Sequence, residues 1–562
     1  MGVEASTSVV EWLDSLLEFV VEGGEDASDA DVRTAILAAE DDEDSPLSLL
    51  FAHRDTVRLG RNLYVESLSD AEKAVELNPL SYRGYELKHA ALHRAQRYDE
   101  AIEAFTIMLS KLNDAPDAQT CRLRQQYVSC SEAEDAIRTT IHAHLDNAPL
   151  RVFNTSTGHL CNREAQIRAF VESTEYKKIL SSSLKHGLLD MKPIKEAVAT
   201  YFRWVMLSHR WERKEPLLRD IQDKVVYDLD PLGTMVKLQK FCKIARDAGY
   251  RWAWSDTCCI DQNNNAEVQR SVNSMFVWYR NSALTIVYLS DVLPSSKSGT
   301  LANSAWNTRG WTVQEFLAPA VVLFYQADWT LYLEDCSPNH KESVVIMHEL
   351  KDSTGIDTRA LVAFRPGMTN AREKLQWAST RVTTMQEDVA YSLFGIFGIH
   401  LPVIYGETKQ NALGRLLQEI VARSGDITAL DWIGKSSKFN SCLPADITSY
   451  KTPPYILSSL SEDEMQTSVS RLQNVVAAES ASILYILLDK LSAPRFANCR
   501  LQLPCIVFPV TEIRRRRGQD QETRFTYHFK ADGLQDLSIT TEDRLVQFSR
   551  AKPTQQTFLL IH

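Results

Sequence analysis

The 562-residue chain is poor in the features that mark several large functional classes. It has no apolar run near the roughly 18 residues needed to span a bilayer; Ile483 to Leu488 is the best and is far too short. Its ten cysteines include no CxxC pair and no zinc spacing, so no structural metal is expected. Its glycines form neither a P-loop nor a GxGxxG turn, which disfavours ATP hydrolysis and dinucleotide-dependent redox chemistry and leaves no cofactor in prospect. Basic charge is sparse: Arg514 to Arg517 is the one run, and it lies between acidic neighbours, so the footprint of a nucleic-acid binder is missing. A basic N-terminal region is lacking too, because Met1 to Val20 carries Glu4, Glu11, Asp14 and Glu18. The expectation is a cytoplasmic protein without a secretory signal, its thiols reduced.

What is present is an ordinary globular mix, 44% hydrophobic and 24% charged, with length enough for three or four domains. The net charge of −11 is unevenly placed. Residues 1–50 hold 14 acidic residues against the single Arg33, so the remaining 512 residues sum to only +2. Residues 1–45 read as an acidic segment with too little apolar surface for a core. Over residues 46–148 an offset of 34 residues places Tyr64 on Tyr98, Ala71 on Phe105 and Val75 on Leu109, with Asn78-Pro79 closing the first unit. A helix–turn–helix period of that length resembles the tetratricopeptide repeat and predicts a platform for a protein partner, or a brace for the next domain. Thr120 to Leu145 is the expected cap, with Tyr127, Ala133, Ile137 and Ile141 near helical spacing.

After a connector of mixed pattern at 149–200, residues 201–335 hold eight of the eleven tryptophans. Short apolar runs at Val205–Leu207, Trp252–Trp254, Leu284–Leu289 and Val321–Tyr325 read as strands buried on both faces. Between them, Leu238, Phe241, Cys242 and Ala245 mark one helical face, and Val268, Val272, Met275, Phe276 and Tyr279 another. The alternation predicts an α/β core, an open parallel sheet of flavodoxin type with helices on both faces. A helical extension is expected at 336–435, with Leu413, Leu416, Leu417, Ile420 and Val421 as one stripe. A β-rich region is expected at 436–562, with strands at Cys505–Phe508, Phe525–Phe529 and Leu545–Phe548.

Ligands of open parallel sheets bind outside the carboxyl ends of the strands. That rule selects Ser208, His209 and Trp211 after the first strand, Asp256 and Gln262 after the second, and Arg309, Trp311 and Glu315 on a later helix start. On a helix Trp311 and Glu315 would be i, i+4 neighbours, a carboxylate beside an indole.

Three blocks at these positions resemble the signature of the fungal heterokaryon incompatibility (HET) domain: Leu207-Ser208-His209-Arg210-Trp211, Trp254 to Gln262, and Arg309-Gly310-Trp311-Thr312-Val313-Gln314-Glu315 running on to Pro319. Glu387 to Gly398 and Leu401 to Glu407 are similar to the segment that often follows that domain. The sequence departs from the family at Ser255-Asp256-Thr257, where the Asp is kept, and at His209-Arg210. The resemblance implies a part in fungal non-self recognition and the cell death it triggers. It also implies a likeness to Toll/interleukin-1 receptor (TIR) domains, whose enzymatic members use a glutamate on a Trp-Cys-x-x-Glu helix to cleave NAD. Glu315 occupies the similar place and is the catalytic candidate, with NAD as substrate and Ser208, His209, Trp211, Asp256, Gln262, Arg309 and Trp311 as binding candidates.

Structural roles compete for the same residues. Glu315 reads also as a partner of Arg309 or a helix cap, Asp256 as a loop anchor, and Asp261 and Gln262 as turn residues. Cys258 and Cys259 read better as packed thiols than as nucleophiles. Two function classes stand open: a NAD-cleaving effector, and a non-enzymatic scaffold that self-associates through the HET domain and binds partners through the repeats.

Overall fold

The structure is a computed structural model that describes residues 51–452, apart from 52, 53, 57, 117 and 295, and shorter stretches between 461 and 561. The acidic segment 1–45 and the expected strand Leu545–Phe548 lie outside the described residues. The chain divides into two compact units, one of residues 1–146 and 161–202, the other of residues 147–160 and 203–562.

The first unit is helical. Helices α1 (Tyr64–Leu77), α2 (Tyr82–Arg94) and α3 (Tyr98–Asn113) pack in succession. Tyr64 and Tyr98, matched by the 34-residue offset, each open a helix. Small residues fill the contacts: Ala71, Ala74, Ala91, Ala101 and Ala104 are buried. A Cβ on Gly84 would meet Val75 Cγ2 at 2.9 Å, so α2 can approach α1 only without one there. The expected cap is α4 (Cys130–Leu145), which buries Ala133, Ile137 and Ile141, while Thr120 to Gln126 forms a separate short helix and turn. Ser129 and Glu132 close a capping box at its start. Replacing Ser129 with Ala is expected to cost about 1 kcal/mol, read as a shift in the urea midpoint.

The stretch 149–200, read as a connector, is folded throughout. It holds strands β1 (Arg151–Asn154) and β2 (Leu160–Asn162), then helices α5 (Arg163–Val171), α6 (Thr174–Ser183) and α7 (Met191–Tyr201). Strands of three and four residues and helices of nine to eleven are too short to impress a clear period on the sequence.

The second unit is built on a six-stranded sheet in the order β2-β1-β4-β3-β5-β6, with β3 Trp204–His209, β4 Trp252–Trp254, β5 Leu284–Tyr288 and β6 Val322–Tyr325. The four strands expected from the apolar runs are all present, and β4-β3-β5-β6 run parallel. The sheet as a whole is mixed, because β1 pairs antiparallel with β4 through Phe153↔Ala253 and Asn154↔Trp252. That corrects the expectation of a wholly parallel sheet: β1 precedes the helical crossovers that keep β4, β3, β5 and β6 parallel, so its sense is not set by one. Every residue of β3 and β4 is buried, which is why these strands lack polar alternation.

Helices α8 (Thr234–Asp247), α9 (Asp256–Cys259), α10 (Asn265–Asn281) and α11 (Thr312–Leu317) connect or follow the strands. The stripes read from the sequence are the buried faces of α8 and α10. Beyond β6 come α12 (Val344–Thr354), α13 (Ala371–Ala378), α14 (Asp388–Tyr391), α15 (Phe394–Phe397) and α16 (Lys409–Ser424). One apolar core runs from Val287 and Phe324 of the sheet to Leu413, Leu416 and Ile420 of α16. The C-terminal part contains the hairpin β7 (Arg495–Ala497) and β8 (Arg500–Gln502) and a second sheet of β9 (Ile506–Arg517), β10 (Phe525–Ala531), β11 (Leu537–Thr541) and β12 (Phe558–Ile561). Among the described residues no helix is long and apolar enough to cross a membrane.

Candidate functional site

The four parallel strands stand in the order second, first, third, fourth, so the winding reverses at β3, the kind of place where open α/β sheets bind ligands. Outside the carboxyl ends of β3 and β4 lies a cavity of about 380 Å3. Trp211, Asp256, Gln262, Arg309 and Trp311 line it, five of the eight residues selected from the sequence.

Ser208, His209 and Glu315 are absent from the lining. Consecutive residues of β3 face opposite sides of the sheet, so Ser208 and His209 meet different partners. His209, buried at the end of β3, places Nε2 3.2 Å from Asp256 Oδ1. Trp211 Nε1 donates to Asp256 Oδ2 at 2.7 Å. Burial alone would raise the Asp256 carboxyl, but these two bonds and the charges of His209 and Arg309 outweigh it and hold the group below its ordinary value. The Arg309 guanidinium lies over the Trp211 ring, 5.9 Å from its centre. Asp256 is thus an anion held in the cavity wall.

Ser208 turns the other way. It donates to Glu315 Oε2 at 2.6 Å and accepts from Trp306 Nε1 at 2.9 Å. Glu315 is 4% exposed and is absent from the cavity lining. Desolvation and the nearby Asp256 charge raise its carboxyl from 4.5 to about 8, against the opposing pull of Ser208, Arg309 and Arg381. The expected pairing of Glu315 with the Trp311 indole does not form. Trp311 sits at the very start of a six-residue helix, and its indole points away to donate to Asp388 Oδ2 at 2.9 Å. Glu315 bonds Ser208 in place of Arg309. Cys258 and Cys259 are buried in α9, outside the cavity lining, and burial raises the Cys259 thiol far above its usual value.

The structure adds residues that the rim argument missed. Asp388 and Tyr405 line the cavity, and the Tyr405 hydroxyl donates to Asp388 Oδ1 at 3.0 Å. Burial raises the Asp388 carboxyl to about 6, with Glu387 adding to the rise and Trp311, Tyr405 and Arg309 opposing it. Ser271 and Met275 reach the cavity from α10. The signal for Asp388 and Tyr405 was on hand, since both lie in the blocks that follow the three signature motifs. Among the described residues no group of three or more His, Cys, Asp or Glu is placed to hold a metal ion.

The sequence model of the family described as "Heterokaryon incompatibility protein (HET)" matches residues 204–301, the stretch from β3 to the loop after β5. The chain is similar to vegetative incompatibility protein HET-E-1 of Podospora anserina, with 35% identity over 243 residues. That alignment covers 40% of this chain and 17% of the other protein. No solved structure matches the chain significantly.

Proposed function

We propose that this chain, whose residues 204–301 match the heterokaryon incompatibility domain, acts in fungal vegetative incompatibility, as an effector whose cavity cleaves NAD at the nicotinamide–ribose bond. The observation that carries the reading is the cavity: an anionic carboxylate, indole walls and an arginine, gathered at the ends of parallel strands in a mixed sheet. Its volume of about 380 Å3 suits part of a dinucleotide.

The chemistry asks little of the protein. The C–N bond to the ring breaks, its electron pair stays on the ring nitrogen, and nicotinamide leaves neutral. The ribose becomes oxocarbenium-like, a carboxylate facing it stabilises that charge, and water adds at the ribose carbon with loss of a proton. In this reading Asp256 is that carboxylate, kept ionised and oriented by His209 and Trp211. Glu315 acts through Ser208, fixing the end of β3.

The test is release of nicotinamide from NAD by the full-length protein. Asp256→Asn is expected to lower it by about 100-fold or more, the usual size for one electrostatic group facing developing charge. No release by folded protein, dilute or concentrated, would remove the hydrolase reading and leave self-association and partner binding as the mode of action.

A further inference from the structure

Most of the cavity wall answers to the ribose and phosphates of a dinucleotide no better than to many other ligands. Three features are more selective. First, Asp388 is fixed by two neutral donors, one on each oxygen: Trp311 Nε1 on Oδ2 and the Tyr405 hydroxyl on Oδ1. Both orient the carboxylate and neither cancels its charge. Asp256 is bonded by His209, and Arg309, stacked on Trp211, acts on both carboxylates from further off. With only neutral donors bonded to the Asp388 carboxylate, the cavity has room for a further positive charge beside it. Second, the remaining surface is flat and apolar: the indoles of Trp211 and Trp311, with Val268, Val272 and Met275 on the α10 side. Aromatic faces and carboxylates together favour a flat cation over a neutral ring or an anion. Third, the Ser271 hydroxyl lines the cavity at 1% exposure and has no hydrogen-bond partner. A buried hydroxyl of that kind is a cost unless a ligand meets it.

We propose that the cavity is a receptor for an N-substituted nicotinamide cation, with Asp388 as the carboxylate that faces the charged ring and Ser271 as the partner of its carboxamide. The proposal deepens the hydrolase reading by naming how its substrate is held, and it divides the labour of the two carboxylates. Positive charge leaves the ring as the bond breaks, so a carboxylate beside the ring favours bound substrate over the transition state. Asp388 therefore governs affinity, and Asp256 the bond-breaking step. The site also depends on chain beyond the matched residues 204–301, because Asp388 and Tyr405 supply one wall.

Calorimetry on the full-length protein, with the N-methylnicotinamide cation and neutral nicotinamide as probes, tests this. At pH 7.5 the cation is expected to bind about tenfold more tightly than the neutral amide. Asp388→Asn is expected to erase that preference, Glu315→Gln to retain it, and Ser271→Ala to weaken binding of the cation but not of N-methylpyridinium. Equal binding of the two nicotinamides, or a preference that survives Asp388→Asn, would overturn the proposal. Should Asp388→Asn fail to fold, Tyr405→Phe serves in its place. It removes one donor from Asp388 and is expected to move the acid loss of cation binding to higher pH. Glu387 and Arg309, which also act on Asp388, and the Tyr405 ring stay unchanged. Nicotinamide release measured on the same preparations separates the two claims. Cation preference without turnover ends the hydrolase reading and keeps the receptor; turnover without cation preference does the reverse.

Discussion

Glu315→Ala is expected to cost about 3 to 4 kcal/mol of folding stability, and Glu315→Gln about 1 kcal/mol or less, in urea unfolding of the full-length protein. The difference follows from what surrounds the side chain. Truncation to Ala leaves a cavity beneath α11 and strips the Ser208 hydroxyl of its acceptor while Trp306 still donates to it. It also removes the carboxyl that lies within electrostatic reach of the buried Arg381, whose guanidinium is otherwise held by Arg309 O and Thr312 Oγ1, each at 3.0 Å. Glutamine keeps the shape and an oxygen for Ser208, and it mimics the protonated acid that burial favours. Loss of activity in the Ala variant would therefore say nothing about catalysis. Equal destabilisation by Ala and Gln would contradict this account.

The same residue sets a pH dependence whose sign can be checked. The Glu315 carboxyl is raised on folding from 4.5 to about 8, so the folded state holds the proton more tightly than the unfolded one. Its contribution is fully present below about pH 4.5 and is lost as pH rises through about 8. Wild type is expected to lose stability across that window relative to Glu315→Gln, which cannot titrate there. Other groups tilt both proteins equally and cancel in the comparison. Asp388 and Asp55, each raised to about 6, act in the same sense as Glu315. Lys341, lowered to about 7 by burial, acts in the opposite sense, its contribution being lost as pH falls from 10.5 through 7. Parallel stability curves for wild type and Glu315→Gln would mean that Glu315 is already ionised in the folded protein.

The sheet was legible because its central strands carry their burial in composition. Trp204 to Leu207 and Leu284 to Leu289 admit almost no polar residue. The β1–β2 hairpin was not legible, since Arg151-Val152-Phe153-Asn154 sets only two buried apolar residues between polar ends, with none of the all-apolar composition that marked the three-residue β4. At the site, proximity in sequence misled twice. Ser208 and His209 are neighbours along β3 yet belong to opposite faces, a separation that strand geometry demands and a list of rim residues ignores. Trp311 and Glu315 have helical spacing, but α11 begins only at Thr312, so the indole is free to turn toward Asp388, 77 residues away. Pairing across that distance is set by how α14 packs, and no local pattern encodes it.

That packing rests on a glycine, and its replacement is expected to be the more disruptive of two similar substitutions. A Cβ on Gly395 would lie 2.1 Å from Cβ and 2.6 Å from Cγ of Phe276, in the middle of α10. A Cβ cannot swing aside as a ring tip can, so α15 and α10 would have to part. Gly395→Ala is expected to cost roughly 3 kcal/mol or more, the upper range for overpacking. On Gly414 the clash is nearly as close, 2.2 Å, but it meets the ring atom Cδ1 of Phe439, a half-buried side chain outside the helices rather than the Cβ of a helical residue. Gly414→Ala is therefore expected to cost about 1 to 2 kcal/mol, although the two distances differ by only a tenth of an ångström. The effects should also differ in kind. Helix α10 carries Ser271 and Met275 to the cavity, and α14, four residues before Gly395, carries Asp388 to its other wall. Parting α10 from α15 widens the gap between those walls, so Gly395→Ala is expected to weaken binding of the nicotinamide cation at urea concentrations where the protein remains folded. Gly414→Ala leaves both walls in place and is expected to bind as wild type does. Equal urea midpoints for the two variants, or unchanged binding in Gly395→Ala, would show that the cavity does not depend on this contact.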